Sequence, residues 1–271
     1  MHGFISRDGM PPEEFAAAAR AELSRYSSVV YEAAEVREAW PEGKGFRLVT
    51  ATRTVWTRKL LIATGLEDEL PPIEGFQALF GISVFQCPYC DGWEFRDRPL
   101  AAYGKRLRGL EMARALTAWS RDIVLCSDGP AGFTAEQKQH LANNGIRLLQ
   151  QRIQRLESDG GTLHQIVFQD GSKVRRDALF FDTASHGQSD LTRQLGCTFN
   201  RHGGVVCGKY EATAVPGVYV AGNIIRNVQL SIVAAAEGAN AAFGINRALT
   251  REDFIHRATG ASPVEHTAPG A

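Results

Sequence analysis

Cys87-Pro88-Tyr89-Cys90-Asp91-Gly92-Trp93-Glu94 is the stretch around which the chain is organised. Two cysteines separated by two residues can close a small disulfide ring and reopen it. Each thiol depresses the pKa of the other, to roughly 7 or lower in such motifs. A thiolate at working pH attacks a disulfide, and the second thiol resolves the mixed disulfide. A zinc half-site fits less well. It needs a second ligand pair, and Cys126, Cys197 and Cys207 are scattered without Cys-x-x-Cys or His-x-x-x-His spacing, so no metal site is expected. Two ordinary buried cysteines would not need this spacing. A redox-active pair is the expectation, and its surroundings must say in which fold.

Cys-Pro-Tyr-Cys also occurs in glutaredoxins, early in the chain at a helix start. Here it sits a third of the way along and is followed by the charged turn Glu94-Phe95-Arg96-Asp97-Arg98. The apolar run Pro99 to Tyr103 and Gly104 then read as a strand feeding a glycine turn. With a helix over Leu107 to Trp119 and a strand over Ile123 to Cys126, this makes a βαβ unit. A second helix is predicted over Ala135 to Asn143, with Gly145 just past its end. Strand-like segments run from Ile146 to Phe181, with hairpin turns at Ser158-Asp159-Gly160-Gly161 and Asp170-Gly171.

The chain has 271 residues, enough for two domains that each bury a core. Apolar residues make up 44% and charged residues 22%, as in soluble globular proteins. Formal net charge is zero, so bulk electrostatics favour neither nucleic acid nor an anionic membrane as partner. Five cysteines in a chain of this size do not make a disulfide framework. No apolar run approaches the ~18 residues of a membrane span. The start lacks the basic-then-apolar pattern of a signal peptide, which makes the cytoplasm the expected compartment.

Before the cysteine pair, Pro11-Pro12 opens a helix with Phe15, Ala18, Ala19 and Leu23 as its apolar stripe. A short strand is predicted over Val29 to Tyr31, a pair of strands over Phe46 to Thr50 and Thr54 to Thr57, and a buried strand over Lys59 to Ala63. That strand ends in Ala63-Thr64-Gly65, where the glycine alone could be a turn residue with positive φ. A second landmark is Val218-Tyr219-Val220-Ala221-Gly222-Asn223, followed by an alanine-rich helix predicted over Gln229 to Ala248, in which Gly238 permits close packing. The polar end from Arg251 is expected to be a flexible tail.

From about His2 to Leu249 these motifs together resemble the low-molecular-weight thioredoxin reductases, FAD- and NAD(P)-dependent pyridine nucleotide-disulfide oxidoreductases in which a Cys-x-x-Cys-Asp lies against FAD. The resemblance implies an α/β fold of two Rossmann-like three-layer domains, an FAD-type domain split by an inserted NAD(P)-type domain. Residues 1–84 and 207–250 would form the FAD-type domain, 85–206 the NAD(P)-type domain carrying the cysteines, and 251–271 the tail. It places Thr64 and Gly65 near the flavin nucleotide, and Gly222 and Asn223 at the ribityl hydroxyls, where relatives carry Ala-Gly-Asp. Gln229, Leu230 and Ser231 would lie at the isoalloxazine edge, where thioredoxin reductases have Arg-Gln-Ala. Ser185-His186-Gly187 resembles a family segment with histidine at the same place, against the simpler reading of a core or surface histidine.

Family members begin with a strand, a Gly-x-Gly-x-x-Gly turn and a helix that bind the FAD pyrophosphate. This chain opens on Met1-His2-Gly3-Phe4 and has no such motif, so on the resemblance the first FAD-binding βαβ unit is missing. Either the start lies at an internal methionine of a longer protein, which accords with the intact cysteine pair, or the product is a truncated remnant. The second nucleotide fingerprint reads Gly104-Lys105-Arg106-Leu107-Arg108-Gly109, with Arg106 where the middle glycine belongs. Arg106 would obstruct the usual approach of the pyrophosphate, although Arg106 or Arg108 could contact phosphate instead, or the unit could be plain scaffold. Cys126-Ser127-Asp128 lacks the basic residues that relatives use for the 2′-phosphate, so NADH fits Asp128 better than NADPH.

By the same resemblance Cys90 faces the flavin, Cys87 attacks the acceptor disulfide and Asp91 protonates the departing thiolate, although an Asp before Gly also commonly caps a turn. The expected partner is a thioredoxin-like protein or a small-molecule disulfide or dithiol, and relatives are homodimers. Two alternatives remain open: a flavin-dependent dithiol oxidase that uses oxygen, and a non-catalytic remnant without flavin.

Overall fold

Pro12 opens the first helix, α1 (Pro12–Leu23), where its missing N–H is not needed. The computed structural model describes residues 2–226 and 228–258. Phe15 packs its ring 5.1 Å from that of Phe4, while Leu23 at the far end of the stripe stays exposed. No strand forms over Val29 to Tyr31, where all three side chains are exposed and no ladder partner is present. The first strands are β1 (Val36–Glu42), β2 (Gly45–Thr50) and β3 (Thr54–Thr57), an antiparallel sheet in that order. The expected pair is β2 and β3, with Phe46 opposite Thr57. Its additional partner β1 turns back through Gly43, at φ 59°. Next come β4 (Leu60–Ile62) and β5 (Leu66–Asp68).

The following stretch builds a unit of its own. It contains α2 (Phe76–Leu79), β6 (Val84–Phe85), α3 (Pro88–Asp91), β7 (Leu100–Tyr103), α4 (Arg106–Leu116), β8 (Ile123–Cys126), α5 (Ala135–Asn143) and β9 (Arg147–Leu149). Then follow β10 (Ile153–Asp159), β11 (Thr162–Phe168), β12 (Lys173–Arg175) and β13 (Ala178–Phe181). Five strands form a parallel sheet in the order β6-β13-β7-β8-β9. Every residue of β7, β8 and β13 is buried, because the sheet is covered on both faces. Period-two alternation sorts their side chains. Leu100, Ala102, Leu125 and Phe180 face Met112 and Leu116 of α4 and Leu141 of α5. Ala101, Tyr103, Val124 and Phe181 face Leu156, Ile166 and Phe168 of the antiparallel sheet β10-β11-β12. Burial of each such Phe or Leu stabilises the fold by about 1.5–3 kcal/mol. Helix α5 starts at a capping box, in which Thr134 accepts from the Gln137 amide and Gln137 reaches back to the Thr134 amide. It ends before Gly145, at φ 70°.

The chain then adds β14 (Ser185–Gly187), α6 (Leu191–Gln194), β15 (Val218–Val220) and α7 (Ser231–Ala258). β15 runs parallel to β4, with Val218 opposite Leu60 and Val220 opposite Ile62. Val218, Val220 and Ile62 are buried, whereas Leu60 and Leu61 are only half-buried, so β4 is not the doubly covered strand its composition suggests. Helix α7 starts two residues later than expected and continues to Ala258, so residues 251–258 of the expected tail are helical. The rest of that tail, 259–271, lies outside the described residues.

The chain divides into two compact units, one comprising residues 68–185 with His2 and 7–11, the other 3–6, 12–67 and the chain from 186 onward. This two-domain Rossmann-like α/β arrangement is the one the motifs implied, but the division falls ahead of 84–85 and 206–207. Residues 68–84 join the inserted unit because β6 pairs with β13 and the Leu156 amide donates to the Glu74 carbonyl. Residues 186–206 leave it because Leu191, Leu195, Cys197 and Val205 share a core with Ala39, Phe46 and Ile62. The Gln194 side chain accepts from the Ala39 amide at 3.1 Å.

Candidate active site

Cys87 is the N-cap of the four-residue helix α3, and Pro88 occupies its first position. The Cys87 sulfur accepts from the Cys90 amide at 3.1 Å, and the Cys87 carbonyl accepts from the amides of Cys90 and Asp91. This single turn brings the two Cα atoms to 5.2 Å, and Cys87 and Cys90 are joined as a disulfide. Both are half-buried, so the bond is within reach of a partner thiol. Gly92 lets the turn sit close: a Cβ there would run into the Pro88 carbonyl and lie 2.6 Å from two atoms of the Trp119 indole. Tyr89 and Trp93 flank the turn as exposed aromatics, with the Arg96 guanidinium 4.1 Å from the centre of the Trp93 ring.

Burial holds the Asp91 carboxyl above its ordinary range; the charge of the chain's amino terminus opposes this, Glu94 adds to it, and His2 opposes it less strongly. His2 lies between Asp8, at 3.3 Å, and Glu94, at 3.0 Å. Nothing in its spacing announces this role. The three remaining cysteines are poor nucleophiles. Burial pushes the Cys126 thiol up to about 12 and the Cys207 thiol to about 11, and raises Cys197 as well.

In the same unit, Gly104 and Gly109 stand against each other at the carboxyl end of β7. A Cβ on Gly109 would strike the Gly104 carbonyl, and one on Gly104 would lie 2.9 Å from the Gly109 backbone. Both glycines of the fingerprint are therefore required by the approach of α4 to β7. Arg106 opens α4 at φ 51°, a left-handed conformation that favours the glycine it replaces. Its side chain is exposed. Arg108 is engaged with the Thr183 carbonyl and, at 3.5 Å, with Asp182. Both carboxylate oxygens of Asp128 accept bonds, one from the Ile153 amide at 2.9 Å and one from the Tyr103 hydroxyl at 3.4 Å.

The remaining candidates lie in the other unit. Ala63-Thr64-Gly65 and Ala221-Gly222-Asn223 leave the same end of the parallel pair β4–β15, joined by the Ala221 amide on the Ile62 carbonyl. Gly65 and Gly222 have φ 72° and 78°, which accounts for glycine at both. The Thr64 hydroxyl is buried and has no hydrogen-bond partner among the described residues. Gln229 and Leu230 precede α7, and Ser231 is its first residue. Six residues further on, Glu237 accepts from the Gly222 amide at 2.7 Å. Its only sequence signal is an acid inside an otherwise alanine-rich helix. Gly238 has nothing within 4 Å of a built Cβ; the close contact belongs to Gly244, where a Cβ would lie 2.6 Å from that of Tyr210. His186 is exposed and 3.6 Å from Glu67. No helix among the described residues is long and apolar enough to cross a membrane.

A closed Cys-x-x-Cys turn on a parallel α/β unit, with a second α/β unit wrapped around it in sequence, defines a disulfide oxidoreductase of the nucleotide-binding kind. The chain belongs to the pyridine nucleotide-disulphide oxidoreductase family, whose profile matches residues 11–238. It is thioredoxin reductase-like: it is 29% identical to thioredoxin reductase tcpT of Claviceps purpurea over 84% of this chain and 76% of that protein. A relative from Arthroderma benhamiae is 26% identical over 82% of this chain, which spans only 63% of that relative's length. Among solved structures, TrxB from Bacillus anthracis superposes with a TM-score of 0.87 at 31% identity, covering 93% of this chain and 85% of that one.

Proposed function

We propose that this protein is a flavin-dependent disulfide oxidoreductase that passes electrons through the Cys87–Cys90 pair to a disulfide on a thioredoxin-like protein or a small molecule. The observation that carries this reading is the closed disulfide in the N-terminal turn of α3, half-buried and beside a carboxyl that burial keeps protonated to higher pH. When the pair is reduced, Cys87 as thiolate attacks the acceptor disulfide and one acceptor sulfur leaves. Cys90 then attacks Cys87 in the mixed disulfide, which releases the second sulfur and restores the ring. Two electrons leave the cysteine pair and two reach the acceptor. Asp91 supplies a proton to a departing thiolate and recovers one from a thiol.

FAD would supply the hydride chemistry that reduces the pair. The orphaned Thr64 hydroxyl and the Asn223 amide suit the hydroxyls of a ribityl chain, with the start of α7 at Gln229, Leu230 and Ser231 beside them. The Glu237 carboxylate on the Gly222 amide disfavours a diphosphate there, so these residues would hold the neutral part of the cofactor. In this reading residues 68–185 form the NAD(P)-type unit, and NADH or NADPH is the donor at the Gly104–Gly109 turn, where Lys105 and Arg106 are exposed cations. The protein would act as a cytoplasmic homodimer, as the resemblance implies.

The test is a visible absorption spectrum after addition of FAD and dialysis, followed by turnover of an aromatic disulfide reporter with NADH or NADPH. Retained flavin colour and turnover that is lost in Cys87→Ser support the reading. A colourless protein, or turnover indifferent to Cys87→Ser, overturns it.

A further inference from the structure

His2 is held by two carboxylates, with Nδ1 3.3 Å from Asp8 Oδ2 and Nε2 3.0 Å from Glu94 Oε1. Its side chain is 29% exposed, less than that of either partner. Only a protonated imidazole can donate from both nitrogens at once. Glu94 stands three positions after Asp91, on the turn that follows α3. The charges of Glu94 and His2 act on Asp91 in opposite directions. The charge of the chain's amino terminus also favours the Asp91 carboxylate, ahead of His2, while most of the other charges around this turn are engaged elsewhere. Helix α4, packed against α3, carries Arg106, Arg108, Glu111 and Arg114. Of these, Arg108 pairs with Asp182 and Arg114 with Glu111, while Arg96 covers the Trp93 ring.

We propose that His2 is a positioning residue for the redox-active turn: anchored by Asp8, it holds and neutralises Glu94 and so sets the readiness of Asp91 to exchange a proton with the Cys90 sulfur. This rests on the function proposed above. The step it governs moves a proton and no electrons, since the Asp91 acid gives H⁺ to a thiolate and leaves a carboxylate and a thiol. A residue more than eighty positions away in sequence thus acts, through Glu94, on the acid next to the sulfurs.

The test is a carboxyl-carbon NMR titration of Asp91 in the full chain, which needs neither flavin nor acceptor. His2→Gln is expected to move the Asp91 midpoint up by about half a unit. His2→Lys, which keeps a cation beside Glu94, is expected to restore it. In His2→Gln/Glu94→Gln, which removes both charges, the midpoint should return to within about a fifth of a unit of the native value. The pH profile of reporter-disulfide exchange by the reduced protein should shift on its alkaline limb by the same half unit. An Asp91 midpoint indifferent to His2→Gln, or a moved midpoint with an unmoved exchange profile, overturns the inference. If exchange is lost in Cys87→Ser under the same conditions, the proposed function stands in either case. Exchange that survives Cys87→Ser overturns that function, and the inference with it.

Discussion

The amide of Gly222 donates to the carboxylate of Glu237 across 2.7 Å and ties the turn after β15 to the middle of the second turn of α7. Gly222 has φ 78°, and the Ala234 Cβ would lie 3.6 Å from a Cβ built on it, so the turn passes close to the helix. A charge-assisted bond of this kind contributes about 1.5–3 kcal/mol, reduced here by partial exposure. Glu237→Ala should therefore lower stability in a urea titration by about 1–2 kcal/mol. Glu237→Gln, which keeps an acceptor, should lose less than half of that, and an equal loss in both variants would show that charge alone matters.

Gly109 offers a sharper test of packing. Because its Cβ would strike the Gly104 carbonyl, Gly109→Ala should force α4 away from β7 and destabilise the protein by about 2–3 kcal/mol. The neighbouring Arg106→Gly should go the other way or stay neutral, within about 1 kcal/mol, because glycine relieves the positive φ at a cost in chain entropy. Thermal unfolding of the two variants reads both outcomes.

The cysteines should separate cleanly in alkylation after reduction. With its thiol near 11, Cys207 holds roughly one part in a thousand as thiolate at pH 8, and Cys126, near 12, holds less. Cys87 and Cys90 should therefore react first by a large margin in mass-spectrometric mapping at pH 8. Cys87→Ser and Cys90→Ser should each abolish disulfide turnover, whereas Cys207→Ser should leave it intact.

Asp91 sets an expected conflict between stability and turnover. Its carboxyl is raised, first by burial, so the folded state binds the proton more tightly than the unfolded chain. Stability from this group is then present at low pH and is lost as pH rises from the unfolded value through the raised folded one. Asp91→Asn should be more stable than the native protein at neutral pH, with the advantage vanishing in acid. The same variant should slow reporter turnover by about 100-fold, the lower range for loss of a general acid. Paired urea titrations at pH 4 and pH 7 check the sign.

Local patterns were readable in proportion to how locally they are stabilised. The strand Ile123–Cys126 and the helix Ala135–Asn143 fall where expected, because an apolar run between charged turns and a Thr134 cap with Gln137 act within a few residues. Both hairpin turns, at Gly160-Gly161 and Gly171, were likewise legible from turn chemistry. Val29 to Tyr31 reads as a strand by composition yet forms none, and β1, interrupted by Pro41, was not expected. In both cases the presence or absence of a partner strand decided, and a partner is not a local property. Gly238 and Gly244 differ for the same reason, since only contact with Tyr210 shows which one is needed.

The sequence by itself determined the cysteine pair and its spacing, the α/β alternation and the resemblance that led to the family. These rest on spacing, period and motif, and each is written within a short window of the chain. The tertiary structure decided where the two units divide, that Arg106 takes a glycine conformation, and that Asp128 is already bonded to Ile153 and Tyr103. It alone joined His2 to Glu94 and Glu237 to Gly222. Hydrogen bonds and burial depend on distances through space, and residues remote in sequence acquire those distances only when the chain has packed.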